Sequence, residues 1–355
     1  MRYATVAILL LTAFHAGASL AQTAVIDERY ITERVPDENI DSVAVAPAEN
    51  GQPALLFATA KSDDAVKVYD ASTGEVVIDE LGGEGRWPDQ YLRPNGVAVA
   101  DGLLVVVERD NRRINVRSLP DYRVVDTFGS DVLRSPYGIW LQSLGDDRYR
   151  IWVTDAYEMP DESVPPNEEL NERIKSFMMT VERNAAGEVV ALRQHLEHTF
   201  GETEPPGALR IVESIFGDAA HNRLLIAEED ENPETGLVIK VYDLDGRYTG
   251  TQIGKGIFEA QAEGIALYEC DDDSGYWLST DQADDKTTYH VFDRETLEHV
   301  GAFSGRITAN TDGVWLSQSG VPGFDRGAFF AVHDDQAVSA FDWGEIADAL
   351  GLDGC

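Results

Sequence analysis

The feature that most constrains this chain is an internal repeat, in which one short pattern of residues recurs at spacings of roughly fifty residues. Each copy begins with a polar or aromatic residue, continues with a small residue, and leads into a short apolar run. The copies begin at Asp41, Asn95, Tyr137, Glu213, Glu263 and Asp312. Six units at this spacing are typical of the blades of a β-propeller that closes into one ring.

Each unit also has the same internal order of apolar runs and polar turns. A second run follows the first, as in the LLVVVER segment that ends at Arg109, and an alternating third run follows, as in the VKVYD segment that ends at Asp70. Turn residues then lead to a fourth run, and the β-branched and aromatic content of the runs favours strands. We therefore predict an all-β fold, a six-bladed β-propeller with four-stranded antiparallel blades, as one domain over residues 22–355.

Two segments interrupt the repeat. Residues 157–172 are rich in Pro, Glu, Asp and Asn, which indicates an extended acidic loop inserted into the third blade. Residues 343–352 show helical spacing, with Asp342 placed as the N-cap, so we expect a short C-terminal helix near the point where the ring closes.

The first residues have the composition of a secretory signal. Arg2 supplies the positive start, an apolar stretch follows, and the small-residue pattern that ends at Ala21 is typical of a cleavage site. We expect residues 1–21 to be a signal peptide and the protein to be periplasmic or secreted, with no membrane span elsewhere. An oxidising compartment would allow Cys270 to pair with Cys355.

The charge of the chain excludes some partners. Its formal net charge is −36 at pH 7, a field that repels nucleic acids and anionic lipid and attracts divalent cations. We therefore expect a small-molecule partner, no nucleic acid, and a monomer.

The propeller geometry gathers the acidic residues. The first strand of every blade lines the central channel, so the residues that begin the six units surround one mouth, and four of them are carboxylates. Acids and an amide at the ends of second strands add further oxygens, and such hard ligands suit Ca²⁺. We predict several calcium ions, held by Asp41, Glu213, Glu228, Glu229, Glu263, Asp281, Gln282 and Asp312.

Three residues at corresponding strand ends stand out against this acidic background. Lys61, Arg109 and Tyr137 have side chains suited to holding phosphate oxygens, with the arginine as a bidentate donor and the lysine as a point charge. We expect them to bind a phosphorylated small molecule beside the cations. The predicted catalytic residues are Lys61, Arg109, Tyr137, Glu213 and Glu263.

These motifs resemble those of the β-propeller phytases, which are calcium-dependent phosphatases that act on inositol phosphates. The similarity covers most of residues 22–355 and is carried by four segments in particular: IFGDAAHNRLLIAEEDE after Ser214, the 262–293 stretch, Thr311-Asp312-Gly313, and the closing WGEIAD. The resemblance implies hydrolysis of phytate or a related phosphate ester by metal-activated water, without a covalent intermediate.

The sequence departs from the phytase pattern at several positions. Ile40 and Gln261 stand where the family has acids, and Asp155 stands where a phosphate-contacting lysine is usual. Lys175, just beyond the acidic insertion, is the residue that would take the place of that lysine in substrate binding.

Two other functions are compatible with the same residues. One is a non-catalytic propeller that captures a ligand. The other is a hydrolase of the lactonase type, in which one central calcium at Glu213, Glu263 and Asp312 activates water against an ester.

Overall fold

The computed structural model describes residues 23–49 and 51–355, so the predicted signal segment 1–21 lies outside the described residues. Six sheets, each built on four antiparallel strands, form a ring in which the first strand of each blade contacts the first strand of the next. The first strand of the sixth blade contacts that of the first, so the ring is closed. The predicted six-bladed β-propeller is confirmed.

From residue 23 onward, two short strands precede the blades, and the first three blades follow them in chain order. Strands β1 and β2 are Ala24–Ile26 and Tyr30–Ile31. Blade one contains β3 Ile40–Ala46, β4 Leu55–Ala60, β5 Ala65–Asp70 and β6 Val76–Gly82. Blade two contains β7 Pro94–Ala100, β8 Leu103–Glu108, β9 Arg113–Ser118 and β10 Val124–Phe128. Blade three contains β11 Pro136–Ser143, β12 Arg148–Asp155, β13 Ile174–Arg183 and β14 Val189–Phe200.

The last three blades complete the ring and end in the helix. Blade four contains β15 Ile215–Asp218, β16 Arg223–Glu228, β17 Val238–Tyr242 and β18 Tyr248–Ile253. Blade five contains β19 Gln261–Glu269, β20 Gly275–Gln282, β21 Thr288–Asp293 and β22 His299–Gly305. Blade six contains β23 Val314–Ser317, β24 Ala328–His333 and β25 Ala337–Asp342, and the helix α1 spans Trp343–Leu350.

The N-terminal strands close the ring by joining the last two blades. Strand β2 pairs antiparallel with β25, with Tyr30 opposite Ala340, and so supplies the fourth strand of blade six. Strand β1 runs parallel to β22 and adds a fifth strand to blade five. Helix α1 packs against β1, β22 and β25, and the Asp342 carboxylate accepts a 3.2 Å hydrogen bond from the Glu345 N–H. The predicted helix, its cap and its place at the closure are confirmed.

The hydrophobic core is divided among the interfaces between blades. Six clusters of buried apolar residues occur, and each joins two neighbouring blades. Trp152 of blade three and Tyr242 of blade four, for example, belong to one cluster. This arrangement explains why strands facing other blades on both sides are almost continuously apolar. The blades are therefore held in fixed positions around the channel.

The remaining expectations about the fold concern the insertion and the cysteines. The acidic segment 157–172 connects β12 to β13 within blade three, as predicted, and ends in a 3₁₀ helix at Asn167–Glu172. Cys270 and Cys355 form a disulfide with a Cα–Cα distance of 5.2 Å, which ties the C-terminus to blade five. Across the described residues, no helix is long and apolar enough to cross a membrane.

Candidate functional site: a carboxylate-lined channel mouth

The first strands bring the residues that begin the six units to one end of the channel. In four blades the pairing with the second strand shifts register at this point, as between Ile40 and Val43 in blade one. Such a bulge redirects a side chain out of the regular alternation, here at the start of the strand. The channel is narrow, with a volume of about 60 Å³, and its lining includes Asp41, Tyr137, Glu213, Glu263 and Asp312.

In four of the six blades the residue after the mouth residue is a glycine, and it has a steric reason. A Cβ on Gly138 would lie 1.9 Å from the Glu213 carbonyl oxygen, and one on Gly313 would lie 2.4 Å from the Asp41 carbonyl oxygen. The backbone of the neighbouring blade occupies the space that a side chain would need. Close contact between first strands therefore fixes the relative positions of the mouth residues.

Three glutamates of blades four and five converge most closely. One carboxylate oxygen from each of Glu213, Glu229 and Glu263 lies within 4.8 Å of the others, and this is the single group found among the described residues that could hold a metal ion. Glu213 lies two residues before β15, Glu263 lies near the start of β19, and Glu229 follows β16. Carboxylates this close repel one another unless a proton or a cation lies between them.

Burial and the nearby negative charges raise the pKa of each of the three glutamates. Burial, followed by the charge of Asp41, raises the pKa of Glu213 to about 7. Burial also raises the pKa of Glu229 and of Glu263 well above the ordinary value, with Glu263 as the next cause for the first and Asp312 for the second. Without a cation, the triad holds protons at pH values where isolated carboxylates are fully ionised.

Lys61 and Tyr137 lie on the Asp41 side of the mouth and contact each other. The Lys61 ammonium lies 2.6 Å from Asp41 Oδ1 and donates a 2.9 Å hydrogen bond to the Tyr137 hydroxyl. The Tyr137 hydroxyl in turn donates to Asp41 Oδ1 at 3.0 Å. These groups are therefore engaged with one another and with a carboxylate.

Asp312 is the fifth carboxylate of the mouth and is held from the side. The Gln282 side-chain nitrogen donates a 2.8 Å hydrogen bond to Asp312 Oδ1. Burial, then the charge of Asp41, raises the pKa of Asp312 well above its ordinary value. Asp41, Glu213, Glu229, Glu263, Gln282 and Asp312, which the sequence predicts as ligands, thus lie together.

Two other predicted residues, Lys175 and Glu228, belong to buried ion pairs that hold the segments leading into the first strands. Asp155 accepts the Ser135 N–H at 2.6 Å and pairs with the Lys175 ammonium at 2.6 Å, with both side chains buried. Glu228 accepts the Ile211 N–H at 2.8 Å and pairs with the Lys240 ammonium at 2.7 Å. Lys175 and Glu228 therefore form buried ion pairs and are not ligands at the mouth.

Asp281 has the corresponding position in blade five. It accepts backbone hydrogen bonds from Glu259 and, at 2.7 Å, from Ala260, and it lies 3.5 Å from a ring nitrogen of His290. Each of these carboxylates fixes the backbone two to four residues before a mouth residue. Asp281 and Glu228 thus position Glu263 and Glu213 instead of joining them as predicted.

Arg109 is also placed away from its predicted role. Its guanidinium pairs with the adjacent Asp110 at 2.7 Å and is about one-third exposed, at 35 %. The arginine whose charge acts on Glu213 is Arg93, which the sequence analysis missed. Arg93 precedes Asn95 by two residues, a position that the repeat pattern does not mark.

Asn95 is the mouth-equivalent residue of blade two, and its amide lacks partners. It is fully buried, and neither its oxygen nor its nitrogen has a hydrogen-bond partner among the described residues. A buried amide without partners costs about 1–3 kcal/mol, so such groups usually indicate a missing water, ion or ligand. An amide oxygen is also a ligand type that Ca²⁺ accepts.

The fold and the site together define a six-bladed β-propeller with a carboxylate cluster at one mouth of its channel. No protein-family model matches the chain, and no curated protein matches its sequence. The resemblance to phytases is therefore not confirmed at the level of the family.

Solved structures share the fold. A calcium-binding protein, regucalcin, from Agrobacterium tumefaciens matches with a TM-score of 0.53 and 11 % identity over 90 % of this chain and 97 % of that one. Hydrazine synthase from Kuenenia stuttgartiensis matches with a TM-score of 0.50 and 12 % identity over 87 % of this chain and 97 % of that one. At such identities the likeness concerns the propeller fold alone.

Proposed function

We propose that this protein is a calcium-dependent hydrolase of the lactonase type, with one divalent cation held by Glu213, Glu229 and Glu263. The observation that carries this proposal is the convergence of the three carboxylate oxygens within 4.8 Å. Oxygen ligands without cysteine or histidine favour Ca²⁺ over zinc or copper. That the regucalcin of similar fold is a calcium-binding protein supports the choice of metal.

The residues around the triad fit a bound cation. The raised pKa values of Glu213, Glu229 and Glu263 indicate a site that is short of positive charge. In blade two, the mouth-equivalent Asn95 has a buried amide without partners among the described residues, which is a group that an ion or a water molecule would satisfy. When bound, the cation would polarise a substrate carbonyl as a Lewis acid.

The other mouth residues suit the hydrolysis of an ester. Asp312 is not part of the triad and is oriented by Gln282, so its carboxylate suits the removal of a proton from an attacking water molecule. The Tyr137 hydroxyl and the Lys61 ammonium lie at the same mouth and are both bonded to Asp41, so they would stabilise negative charge on a substrate oxygen by exchanging that partner.

The charge balance of the mouth favours an uncharged ester over a polyphosphate. Asp41 and Asp312 add two carboxylates to the triad, while Lys61 is already paired with Asp41. Arg109 and Lys175, the other predicted phosphate-binding cations, are paired elsewhere. A ligand with many negative charges would meet net repulsion here unless several cations bound with it.

The test is a substrate panel assayed with purified protein. We expect calcium-dependent hydrolysis of lactones, abolished by a chelator and reduced at least about 100-fold by Glu263→Gln, since removal of one metal ligand lowers affinity or activity strongly. The matched control is Glu269→Gln, which changes a glutamate at the other end of the same strand, β19, and keeps the activity. Calcium binding without turnover of any ester would instead indicate a ligand-binding propeller.

A phytase-like phosphatase is the second candidate function. It is favoured by the contact between Lys61 and Tyr137 at the mouth, two of the three residues that the resemblance assigns to phosphate binding. Release of inorganic phosphate from phytate in the same panel, with lactones untouched, would select it.

We further propose that the protein acts outside the cytoplasm. The Cys270–Cys355 disulfide supports this location, because such bonds persist in oxidising compartments. Mass spectrometry of protein recovered from the periplasm or the medium tests it, and we expect an N-terminus at Gln22.

A further inference from the structure

The Lys61 ammonium is the positive charge most deeply set among the mouth carboxylates. The side chain follows β4, is only 8 % exposed, and lies 2.6 Å from Asp41 Oδ1. Among the charges around it, that of Asp41 acts most strongly on the ammonium, followed by those of Asp312 and Glu213. The Lys61 ammonium thus supplies positive charge beside Asp41, where a metal ion could otherwise bind.

The mouth nevertheless remains strongly negative. Arg93 is the second basic residue whose charge acts there, so two positive charges face five carboxylates. With every group ionised, three negative charges are left, and one divalent cation would reduce them to one. The five carboxylates are Asp41, Glu213, Glu229, Glu263 and Asp312.

We infer that Lys61 is a built-in counter-ion that limits the mouth to one divalent cation, and that removal of its charge opens a second cation site at Asp41 and Asp312. The inference rests on the proposed function for the first cation, at Glu213, Glu229 and Glu263. The observation that points to a second site is that a cationic group already occupies it, within contact distance of Asp41.

The oxygens around Lys61 are of the type that a metal needs. Asp41 Oδ2 accepts a 3.0 Å hydrogen bond from the Ser42 hydroxyl, so this carboxylate is held in place without the lysine. Asp312 Oδ1 likewise accepts a 2.8 Å hydrogen bond from the Gln282 side chain, so it is also held without the lysine. An ammonium offers three donors and one charge, whereas Ca²⁺ in this position would take six to eight oxygens, including waters.

The inference also concerns specificity. A mouth with one divalent cation and a fixed ammonium presents a lone metal site to the substrate. A mouth with two divalent cations can clamp two oxygens of one phosphoryl group. Lys61 would therefore be the residue that keeps the mouth suited to a carboxylic ester rather than to a phosphate ester.

The test is a count of bound calcium by equilibrium dialysis and by isothermal titration, on chelator-treated wild-type protein and on Lys61→Met. Methionine has a similar length and no charge. We expect one ion per wild-type chain and two per Lys61→Met chain. The matched control is Lys67→Met, which removes a buried lysine of the same blade that pairs with Glu38 and Asp79, and it should bind one ion.

A second variant tests the same inference without leaving an unpaired charge in the buried site. In Asp41→Asn/Lys61→Met both partners of the ion pair are neutral, so no unpaired buried charge remains, and we expect one bound ion because a ligand of the second site is gone. An unchanged count and affinity in Lys61→Met would overturn the inference and leave the triad site standing. A wild-type protein that binds no calcium would contradict the proposed function, while the role of Lys61 is judged by the one additional ion in the variant.

Discussion

The ammonium of Lys175 lies 2.6 Å from Oδ2 of Asp155, and both side chains are buried in the third blade. Lys240 and Glu228 form the same pair at 2.7 Å in the fourth blade. In both blades the carboxylate also accepts backbone N–H groups from the segment that enters the first strand. The pairs therefore link the second and third strands of a blade to the position of its mouth residue.

The first prediction concerns this pair. Replacement of Lys175 by methionine leaves the Asp155 charge buried without its partner, so we expect the free energy of unfolding to fall by about 3–5 kcal/mol. Urea unfolding followed by fluorescence measures the change. Arg193→Met is the control, since Arg193 forms an exposed pair with Glu182 and its loss should cost less than about 1 kcal/mol. If Lys175→Met has normal stability but no longer binds substrate, the prediction is wrong and Lys175 binds substrate.

The repeat pattern was sufficient to predict the ring and much of the mouth. In four of the six units a glycine follows the first residue because the neighbouring backbone packs there, so a residue's position in the repeat predicts its position at the mouth. The sequence therefore predicts correctly that one mouth is lined by a set of five residues, namely Asp41, Tyr137, Glu213, Glu263 and Asp312.

Side-chain direction at the strand ends could not be read in the same way. Glu228 and Glu229 are adjacent acids at the end of one strand, and neighbouring residues of a strand point to opposite sides. Glu228 faces Lys240, whereas Glu229 joins the triad. Arg109 similarly turns to Asp110, and Arg93 lies in a connecting segment outside the repeated strands. Only the partners on other strands decide such cases, and the pattern does not contain them.

The second prediction concerns calcium and Glu263. At a free calcium concentration about 100 times the dissociation constant, we expect the wild-type protein to gain about 2.7 kcal/mol of stability. Glu263→Gln should lose most of this gain because a ligand is missing. Without calcium the same variant should be at least as stable as the wild type, since one of the mutually repelling carboxylates is neutral. Thermal unfolding with calcium or with a chelator measures both effects, and an equal calcium response in the two proteins would contradict the site.

The third prediction concerns pH in the absence of calcium. The pKa of Glu213 is about 7 in the folded protein, against an ordinary value of 4.5, so folding favours the protonated form of this group. Its contribution to stability is therefore complete below about pH 4.5 and is lost as the pH rises through 7. Unfolding free energies at pH 5 and pH 8 should fall more steeply for the wild type than for Glu213→Gln. Parallel pH profiles would show that Glu213 does not titrate in this range.

The fourth prediction concerns the disulfide. The bond joins residues separated by 85 positions, so we expect the double variant Cys270→Ser/Cys355→Ser to lose about 2–5 kcal/mol of stability. Reduction should lower the melting temperature of the wild type and leave that of the variant unchanged. Calcium affinity should stay the same, because Cys270 follows the end of β19 that is opposite to Glu263. A loss of calcium binding in the variant would mean that the C-terminus supports the mouth.

The pairing of Tyr30 with Ala340 has a consequence for the order of events during biosynthesis. Strand β2 leaves the ribosome early, yet its partner β25 is among the last segments to be made, so the earliest strand must wait for almost the whole polypeptide. A nascent chain that stalls before Ala337 lacks the partner of one of its earliest strands, so blade six stays without the pairing that ties the N-terminus into the ring. Completion of blade six is thus delayed until translation is nearly finished.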